Sequence, residues 1–238
     1  MTRSFESFFN RKPEVRSEAP GRVNIIGEHT DYNGGFVLPF PIPQKTKCEL
    51  SKRNDTSVRV ASVSVEEDAQ LGEYKLGDEK KHEKWWDYVQ AVTFVLRDFF
   101  TMTGFDARFE TEVLLGSGLS SSAALAISLL RALREAFRLE LDDFQMVRVG
   151  RTAENTFVGA KVGIMDQMAA TFGRQGNAMF IDTLSLKYEY IPLPSGCAWT
   201  AVHSGLQHEL RSGYYNLRRQ ECEEARRLLG VAQLRDLK

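Results

Sequence analysis

The amino-acid sequence predicts an α+β fold, with a mixed β-sheet and helices in a first domain and an incomplete second α+β domain. Apolar and polar side chains alternate every two residues in the first third of the chain, which is typical of half-buried strands. Apolar side chains then repeat every three and four residues, which indicates amphipathic helices, and strand-like segments return after Gly176. The last predicted helix is followed by no return strand, so the second domain is expected to be unfinished.

The first half of the chain is predicted to consist mainly of strands. The segments with a strand pattern are residues 15–26, 46–51, 57–65 and 107–115. Pro20 and Gly21 interrupt the first of them. Residues 66–83 carry acidic and basic side chains in turn around two glycines, which predicts a solvated loop.

Three helices are predicted in the middle of the chain, at residues 85–100, 121–137 and 142–157. The buried face of the first is expected to consist of Tyr88, Val92, Val95 and Phe99. The first turns of the second helix are apolar nearly all round, which indicates deep burial. Asp142 is the expected N-cap of the third.

Strand patterns return in the last part of the chain. They cover residues 178–182, 187–191 and 199–203, and a final helix is predicted at residues 212–229. The change from helix to strand patterns falls close to Gly176.

The composition excludes several classes of protein. The 238 residues carry 31 basic and 32 acidic side chains, so the formal charge of −1 cannot neutralise a polyanion, and no nucleic-acid partner is expected. The 15 Phe, 7 Tyr and 3 Trp supply ample material for a core, which argues against disorder. No apolar run is long enough to span a membrane and no secretory signal is evident, so a cytoplasmic protein without membrane contact is expected.

The cysteines and histidines give no sign of a metal centre. Cys48, Cys197 and Cys222 lie far apart, which predicts reduced thiols rather than a disulfide framework or a zinc site. His203 and His208 do not have the i, i+4 spacing of a helical zinc pair, so no metal role is expected for them.

A loop rich in glycine and serine, between a predicted strand and a predicted helix, is the first candidate binding site. It consists of Gly116, Ser117, Gly118, Leu119, Ser120, Ser121 and Ser122. Glycines let the backbone approach a ligand closely, and the unpaired N–H groups of a helix start attract an anion. The loop has neither the lysine of a Walker A motif nor the third glycine of a dinucleotide-binding loop. A phosphate-binding loop and a simple helix cap both remain open interpretations.

A second candidate site lies in residues 19–39. This loop brings together unlike polar side chains, namely Arg22, Asn24, Glu28, His29 and Asp31. Carboxylates accept hydrogen bonds from sugar hydroxyls, and histidine and asparagine complete a directional network. The flanking apolar residues are expected to pull the loop against a core, whereas the alternative is a solvated turn with local ion pairs.

Two further acids are candidates for chemistry. Asp166 lies between Met165 and Met168, where an idle carboxylate would be costly to bury. Its alternative role is that of an N-cap or first-turn acid on a short helix through Phe172. Glu154 lies near the end of the third predicted helix, where the alternative is an exposed helix charge.

Together these segments resemble the galactokinase family, which belongs to the GHMP small-molecule kinases and has the α+β GHMP kinase fold. Residues 19–39 are similar, almost residue for residue, to that family's galactose-binding signature, and the serine loop is similar to the second GHMP motif. Further similar segments are residues 85–88, 163–167 and 208–222. The resemblance covers essentially the whole chain in collinear order, although the serine loop alone would indicate only the superfamily.

The resemblance implies a reaction in which ATP phosphorylates galactose at its C1 hydroxyl, with Mg²⁺ as the metal. Asp166 would orient that hydroxyl, as a true base or only as a positioning group, and Arg22 would lie beside the transferred phosphoryl group. The sugar hydroxyls would be bound by Glu28, His29, Asp31, Gly163 and Tyr215. The ATP site would consist of Gly116 to Ser122 with Trp85 and Tyr88, and the Mg²⁺ contacts would be Ser122 and Glu154.

The sequence departs from the family pattern in a few places. Leu114 replaces a proline before the serine loop, Asp87 replaces a common asparagine and Val162 a common cysteine. The family's third motif, a glycine-rich loop, is absent, so the resemblance implies a first domain of residues 1–175 and a truncated second domain, residues 176–238. This stretch alone is therefore expected to be poorly active. The full-length protein is expected to be a monomer. The alternative function is a galactose- and ATP-binding regulator, or an inactive fragment, on the same fold. A known regulator of that kind lacks a Ser-Ala pair in the serine loop, and Ser122-Ala123 is present here.

Overall fold

The computed structural model describes residues 3–66, 70–203 and 214–237 of the chain. Within these residues it has a five-stranded mixed sheet packed by helices, together with a three-stranded sheet, which confirms the α+β class. The helices are α1 Phe5–Phe9, α2 Asp87–Leu96, α3 Ser121–Phe137, α4 Asp143–Ala153, α5 Met165–Phe172 and α6 Tyr214–Leu229. The strands are β1 Val15–Asn24, β2 Phe36–Val37, β3 Pro39–Lys52, β4 Ser57–Ser62, β5 Leu71–Lys75, β6 Phe105–Thr111, β7 Asn177–Asp182 and β8 Tyr188–Pro192.

The larger sheet has the strand order β1-β3-β6-β4-β5, in which only β4 and β6 run parallel. Strand β1 is bulged, as the predicted interruption suggested, because its register against β3 shifts between Pro20 and Arg22. Gly21 lies within the bulge, where a Cβ atom would be 2.7 Å from the carbonyl oxygen of Leu119. The backbone N–H of Arg22 donates to that same oxygen at 3.0 Å, so the bulge holds β1 against the serine loop.

Helix α3 has the predicted bounds and supplies the centre of the core. It packs across β1 and β3, with Leu129, Leu130 and Leu133 fully buried. Its first turns are buried nearly all round, as their apolar composition predicted. Because α3 is fixed by this packing, its N-terminus is a rigid support for the serine loop that precedes it.

Helix α4 begins as predicted and ends earlier than predicted. Asp142 is its N-cap, with a capping box in which Asp142 and Gln145 satisfy each other's backbone N–H groups. The α-helix stops at Ala153, and the next residues form a π-helical segment, Glu154–Val158. Such wider turns are rare and occur frequently at functional sites.

Three local predictions are wrong. Strand β5 lies within the stretch predicted to be a solvated loop. It forms because it pairs with β4, even though Tyr74 is its only buried residue. Residues 199–203 form no strand, and they are exposed. Phe99 lies beyond the end of α2 and is 69% exposed, whereas the helix itself is buried on most sides. Residues 204–213, which include His208 and the predicted start of the last helix, lie outside the described part of the chain.

The smaller sheet has the order β2-β7-β8, so Phe36 and Val37 pair with a strand from the last part of the chain. Thr183 reinforces this join, since its backbone N–H and its hydroxyl both donate to the carbonyl oxygen of Gly35. Val37 packs in a second apolar cluster with Met168 of α5 and with strand β7. The polar loop that precedes β2 is therefore attached to both sheets.

Candidate active site

The carboxylate of Asp166 is the centre of the candidate site. Oδ1 accepts from Nε of Arg22 at 2.8 Å and from the terminal nitrogen Nη2 at 2.6 Å, and Oδ2 accepts from the hydroxyl of Ser120 at 2.6 Å. Asp166 lies in the first turn of α5, which was the alternative role predicted for it. Its carboxylate is nevertheless bonded to Arg22 and Ser120. Three segments that are far apart in sequence meet at one carboxylate, which is 24% exposed.

The serine loop does not end in a helix cap made by Ser120. That residue precedes α3 in a left-handed conformation, with φ 61°, and its side chain makes no capping hydrogen bond. Its hydroxyl is directed to Asp166 instead. Within the described residues no side chain caps the start of α3, so its backbone N–H groups and the helix dipole favour an anion here.

A small cavity of about 90 Å³ opens between the loop and Asp166. It is lined by Arg22, Gly116, Gly118, Ser120, Ser121, Ser122, Glu154, Val162 and Asp166. Its volume has room for a few water-sized groups, such as phosphoryl oxygens and a cation, and not for a nucleoside. Two predicted loop members do not line it: Ser117 bonds to the carbonyl oxygen of Leu114, and Leu119 accepts from Arg22 through its backbone.

Glu154 is buried in the wall of this cavity, so its alternative reading as an exposed helix charge is wrong. Burial raises its pKa to about 7, and Asp166 adds to the rise, whereas Ser122 and Arg22 oppose it. Its Oε1 atom has no hydrogen-bond partner within the described residues. Carboxylate and hydroxyl oxygens are ligands that Mg²⁺ prefers, so Glu154 and Ser122 fit the magnesium site that the resemblance implies. No described cluster of three or more His, Cys, Asp or Glu side chains could hold a metal by itself.

Asp31 lies on the other side of Asp166. Burial raises its pKa to about 6, the Asp166 carboxylate adds to the rise, and Arg22 opposes it. Gly163 leaves space for this carboxylate, because a Cβ atom there would come within 1.8 Å of Oδ2 of Asp31. Burial, Asp31 and Asp166 also raise the pKa of Tyr215, so its hydroxyl remains protonated beside the two acids. The predicted residues Asp31, Gly163 and Tyr215 thus meet next to Asp166.

The loop that carries Asp31 is folded by its own polar groups. The hydroxyl of Thr30 lies 2.6 Å from the carbonyl oxygens of both Gly27 and Phe36, which closes the loop. Asn24 donates to Glu28 at 2.8 Å. Glu28 and His29 are exposed and Asp31 is half-buried, and no ion pair is formed between side chains of residues 23–35, all of which the structure describes. The alternative interpretation of this loop, a solvated turn with local ion pairs, is therefore wrong.

Trp85 and Tyr88 are not among the residues that line the cavity. Trp85 packs edge to face on Phe109, with ring centroids 5.9 Å apart, and Tyr88 packs against the main core. Sequence reasoning missed a different aromatic residue, Tyr32, whose hydroxyl is 2.7 Å from Nδ1 of His29. The position of Tyr32 next to Asp31 in the polar loop was the sequence signal that could have identified it. The three cysteines are free thiols, of which Cys48 is buried and Cys197 exposed.

Comparison with known proteins supports the resemblance. A family model for the galactokinase galactose-binding signature matches residues 3–52, and one for the N-terminal domain of GHMP kinases matches residues 87–174. The chain is 38% identical over 231 residues to a galactokinase of Chloroflexus aurantiacus, and 38% identical over 240 residues to a galactokinase of Streptomyces coelicolor. These matches make the chain similar to galactokinases over nearly all of its length. These alignments cover 96% and 98% of the chain but only 59% and 61% of the two relatives.

Solved structures of this superfamily share the fold. The structure of Lactococcus lactis galactokinase complexed with galactose has a TM-score of 0.88 and 29% identity, and the match covers all of this chain and 63% of that one. Mevalonate kinase of Methanococcus jannaschii has a TM-score of 0.61 at 20% identity, over 74% of this chain and 55% of its own. The GHMP kinase fold predicted from the galactokinase resemblance is thus confirmed. No helix within the described residues combines the length and the apolar character needed to cross a membrane.

The buried carboxylate of Glu154 should make stability depend on pH. Its pKa is about 7 in the folded chain and near 4.5 when exposed, so its stabilising effect is fully present below about 4.5 and is lost as the pH rises through 7. Glu154→Gln, which is neutral at every pH, is expected to raise the free energy of unfolding by about 1–3 kcal/mol at pH 8. Urea denaturation without nucleotide or magnesium measures this difference.

The difference between Glu154→Gln and the unchanged chain should nearly vanish at about pH 3.5, where the Glu154 carboxyl is neutral in both the folded and the unfolded chain. Glu135→Gln, at an exposed position of α3, is the matched control and should have little effect at either pH. Equal stability of Glu154→Gln and the unchanged chain at pH 8 would contradict the costly burial of this acid.

Proposed function

We propose that the protein represented by this chain transfers the γ-phosphoryl group of ATP to the C1 hydroxyl of galactose, giving galactose 1-phosphate and ADP. The observation that carries the proposal is the contact of Arg22 and Ser120 with Asp166. This contact lies between an anion-binding helix start and the cluster of Asp31, Gly163 and Tyr215. The chain spans about 60% of the length of the curated galactokinases it matches, so the activity is proposed for the whole protein.

Asp166 is proposed to act on the attacking hydroxyl. Phosphoryl transfer depends mainly on positioning and on neutralisation of charge. The C1 hydroxyl would donate to the Asp166 carboxylate, which Arg22 and Ser120 hold in one orientation, and it would pass its proton there as its oxygen attacks phosphorus. The Arg22 guanidinium would then stabilise the negative charge that develops between the sugar oxygen and the phosphoryl group.

The serine loop is proposed to hold the phosphates of ATP. The N–H groups at the start of α3 and the hydroxyls of Ser121 and Ser122 supply donors around the cavity. Glu154 and Ser122 would hold Mg²⁺, which when bound supplies positive charge at the phosphate oxygens. Trp85 and Tyr88 are proposed to border the adenine, outside the small cavity.

The sugar is proposed to bind in the polar loop. Glu28, His29 and Asp31 would bond its hydroxyls together with Gly163 and Tyr215. A regulatory protein that binds galactose and ATP without turnover is the alternative, and the presence of Ser122 in the cavity wall favours the enzyme. A cytoplasmic location and a monomeric state of the full-length protein are parts of the same proposal.

The choice of sugar tests the proposal directly. The chain should bind galactose, in the presence of a non-hydrolysable ATP analogue, about 10²-fold or more tightly than glucose, since a site built to bond one hydroxyl leaves polar groups unpaired with its epimer. Isothermal titration calorimetry measures this without requiring turnover. Equal affinities would contradict the galactose assignment, and the absence of binding to both sugars would contradict the sugar site itself.

Gly163→Ala should weaken galactose binding without abolishing the fold. The new methyl group would displace the Asp31 carboxylate, because a Cβ atom there lies 1.8 Å from Oδ2. The affinity for galactose is expected to fall by about tenfold or more, which is about 1.4 kcal/mol or more. Gly176→Ala is the control for backbone strain alone, since alanine is strained there at φ 77° but its Cβ atom meets nothing within 4 Å. An unchanged affinity in Gly163→Ala would show that Asp31 does not bind the sugar.

Asp166→Ala should remove transfer while preserving galactose binding. Loss of a general base or positioning group is expected to slow phosphoryl transfer by about 10²–10⁴-fold. Because this stretch alone is expected to turn over slowly, the rate is measured in a single turnover with radiolabelled ATP and excess protein. Asp143→Ala removes an exposed carboxylate paired with Arg134 and should leave the rate unchanged. A normal rate in Asp166→Ala would exclude this acid from the reaction.

A further inference from the structure

Tyr32 makes a contact that none of the roles above uses. Its hydroxyl lies 2.7 Å from Nδ1 of His29, and the two rings meet edge to face with centroids 5.8 Å apart. His29 has a left-handed backbone, with φ 61°, which residues with a side chain seldom adopt. The polar loop thus holds His29 in an uncommon conformation and attaches one of its ring nitrogens to a phenol.

The direction of this hydrogen bond follows from the protons available. Burial raises the pKa of Tyr32, and Cys222 and Asp31 add to the rise, so the hydroxyl keeps its single proton. Among the described residues, Nδ1 of His29 and the thiol of Cys222 lie beside this hydroxyl as groups that could accept its proton. A thiol is a weak acceptor and a neutral imidazole nitrogen is a strong one. This comparison favours donation by the hydroxyl to Nδ1, an arrangement in which the proton of the neutral imidazole is on Nε2.

Helix α6 holds Tyr32 in place for this contact. Tyr215 meets its ring edge to face with centroids 5.5 Å apart, and the guanidinium carbon of Arg219 lies 5.8 Å from the ring centre. Cys222 is close enough to the hydroxyl to influence its pKa. These three residues are four and three positions apart, so they lie on one face of the helix. Arg219 also donates to the carbonyl oxygen of Lys161 at 2.8 Å, which joins the helix to the segment before Gly163.

We propose that Tyr32 is a positioning residue that fixes His29 as the Nε2–H tautomer, so that His29 serves as a permanent hydrogen-bond donor to an oxygen of the sugar. The identity of the acceptor rests on the function proposed above, whereas the tautomer does not. The sugar site would then combine one neutral donor with the acceptor carboxylates of Glu28 and Asp31. Such a site distinguishes hydroxyls by the direction of their hydrogen bonds as well as by their position.

The tautomer can be measured without any ligand. The chain is labelled with ¹⁵N-histidine, and the ring signals of His29 are identified by their loss in His29→Gln. A protonated, pyrrole-type Nε2 and an unprotonated, pyridine-type Nδ1 are expected at a pH where the ring is neutral. In Tyr32→Phe the two nitrogens should give averaged signals, because nothing then selects one tautomer. A protonated Nδ1 in the unchanged chain would overturn the proposal, whether or not the variant folds.

Galactose binding gives the functional readout. Tyr32→Phe is expected to weaken galactose binding about 2–10-fold, as for loss of one hydrogen bond, and to leave the single-turnover rate at saturating galactose unchanged. Tyr190→Phe is the matched control, since it removes a hydroxyl that donates at 2.7 Å to the carbonyl oxygen of Phe172 in the second apolar cluster. An altered tautomer with unchanged affinity would overturn the positioning role. The expected tautomer in a chain that binds no galactose would support the hydrogen bond and contradict the proposed function.

Discussion

The candidate site depends on one carboxylate that is bonded on both oxygens. Arg22 comes from the bulge of β1, Ser120 from the turn before α3, and Asp166 from the first turn of α5. Each of these elements is fixed by core packing, so the three side chains meet with little freedom to rearrange. A charged hydrogen bond between partly buried partners is strong when complete and costly when one partner is lost. The geometry of the cavity therefore depends on all three segments at once.

The sequence predicted those features that short-range patterns determine. The bounds of α3 and the N-cap at Asp142 follow from periodicity and capping chemistry within one helix turn. Strand β5 was missed because its pairing with β4, and not its own pattern, makes it a strand. The burial of Glu154 could not be predicted either. It arises where α4 widens into a π-helical turn, and no local sequence pattern indicates that change. Glu28, His29 and Asp31 were candidates from their residue types, and Gly163 and Tyr215 were added only through the resemblance. The contact of Tyr32 with His29 needed the folded loop.

Burial and function oppose each other in this site. Asp31 and Glu154 both have raised pKa values, and burial is the largest cause for each. An acid held in this way is stabilised when a cation or a hydroxyl donor arrives, so part of the cost of folding is recovered on binding. The positive charge of Arg22 lowers the pKa of both acids. It therefore helps the fold to hold Asp31 and Glu154 close to Asp166.

The hydrogen bonds from Thr183 to Gly35 affect the order in which the chain can fold. The two residues are 148 positions apart, and β2 has no strand partner until β7 has been made. During synthesis the five-stranded sheet and α3 can form first, because their strands and helix all precede residue 138. The polar loop can be joined to β7 only after residues near 183 have left the ribosome. The polar loop therefore reaches its final arrangement later than the five-stranded sheet beside it.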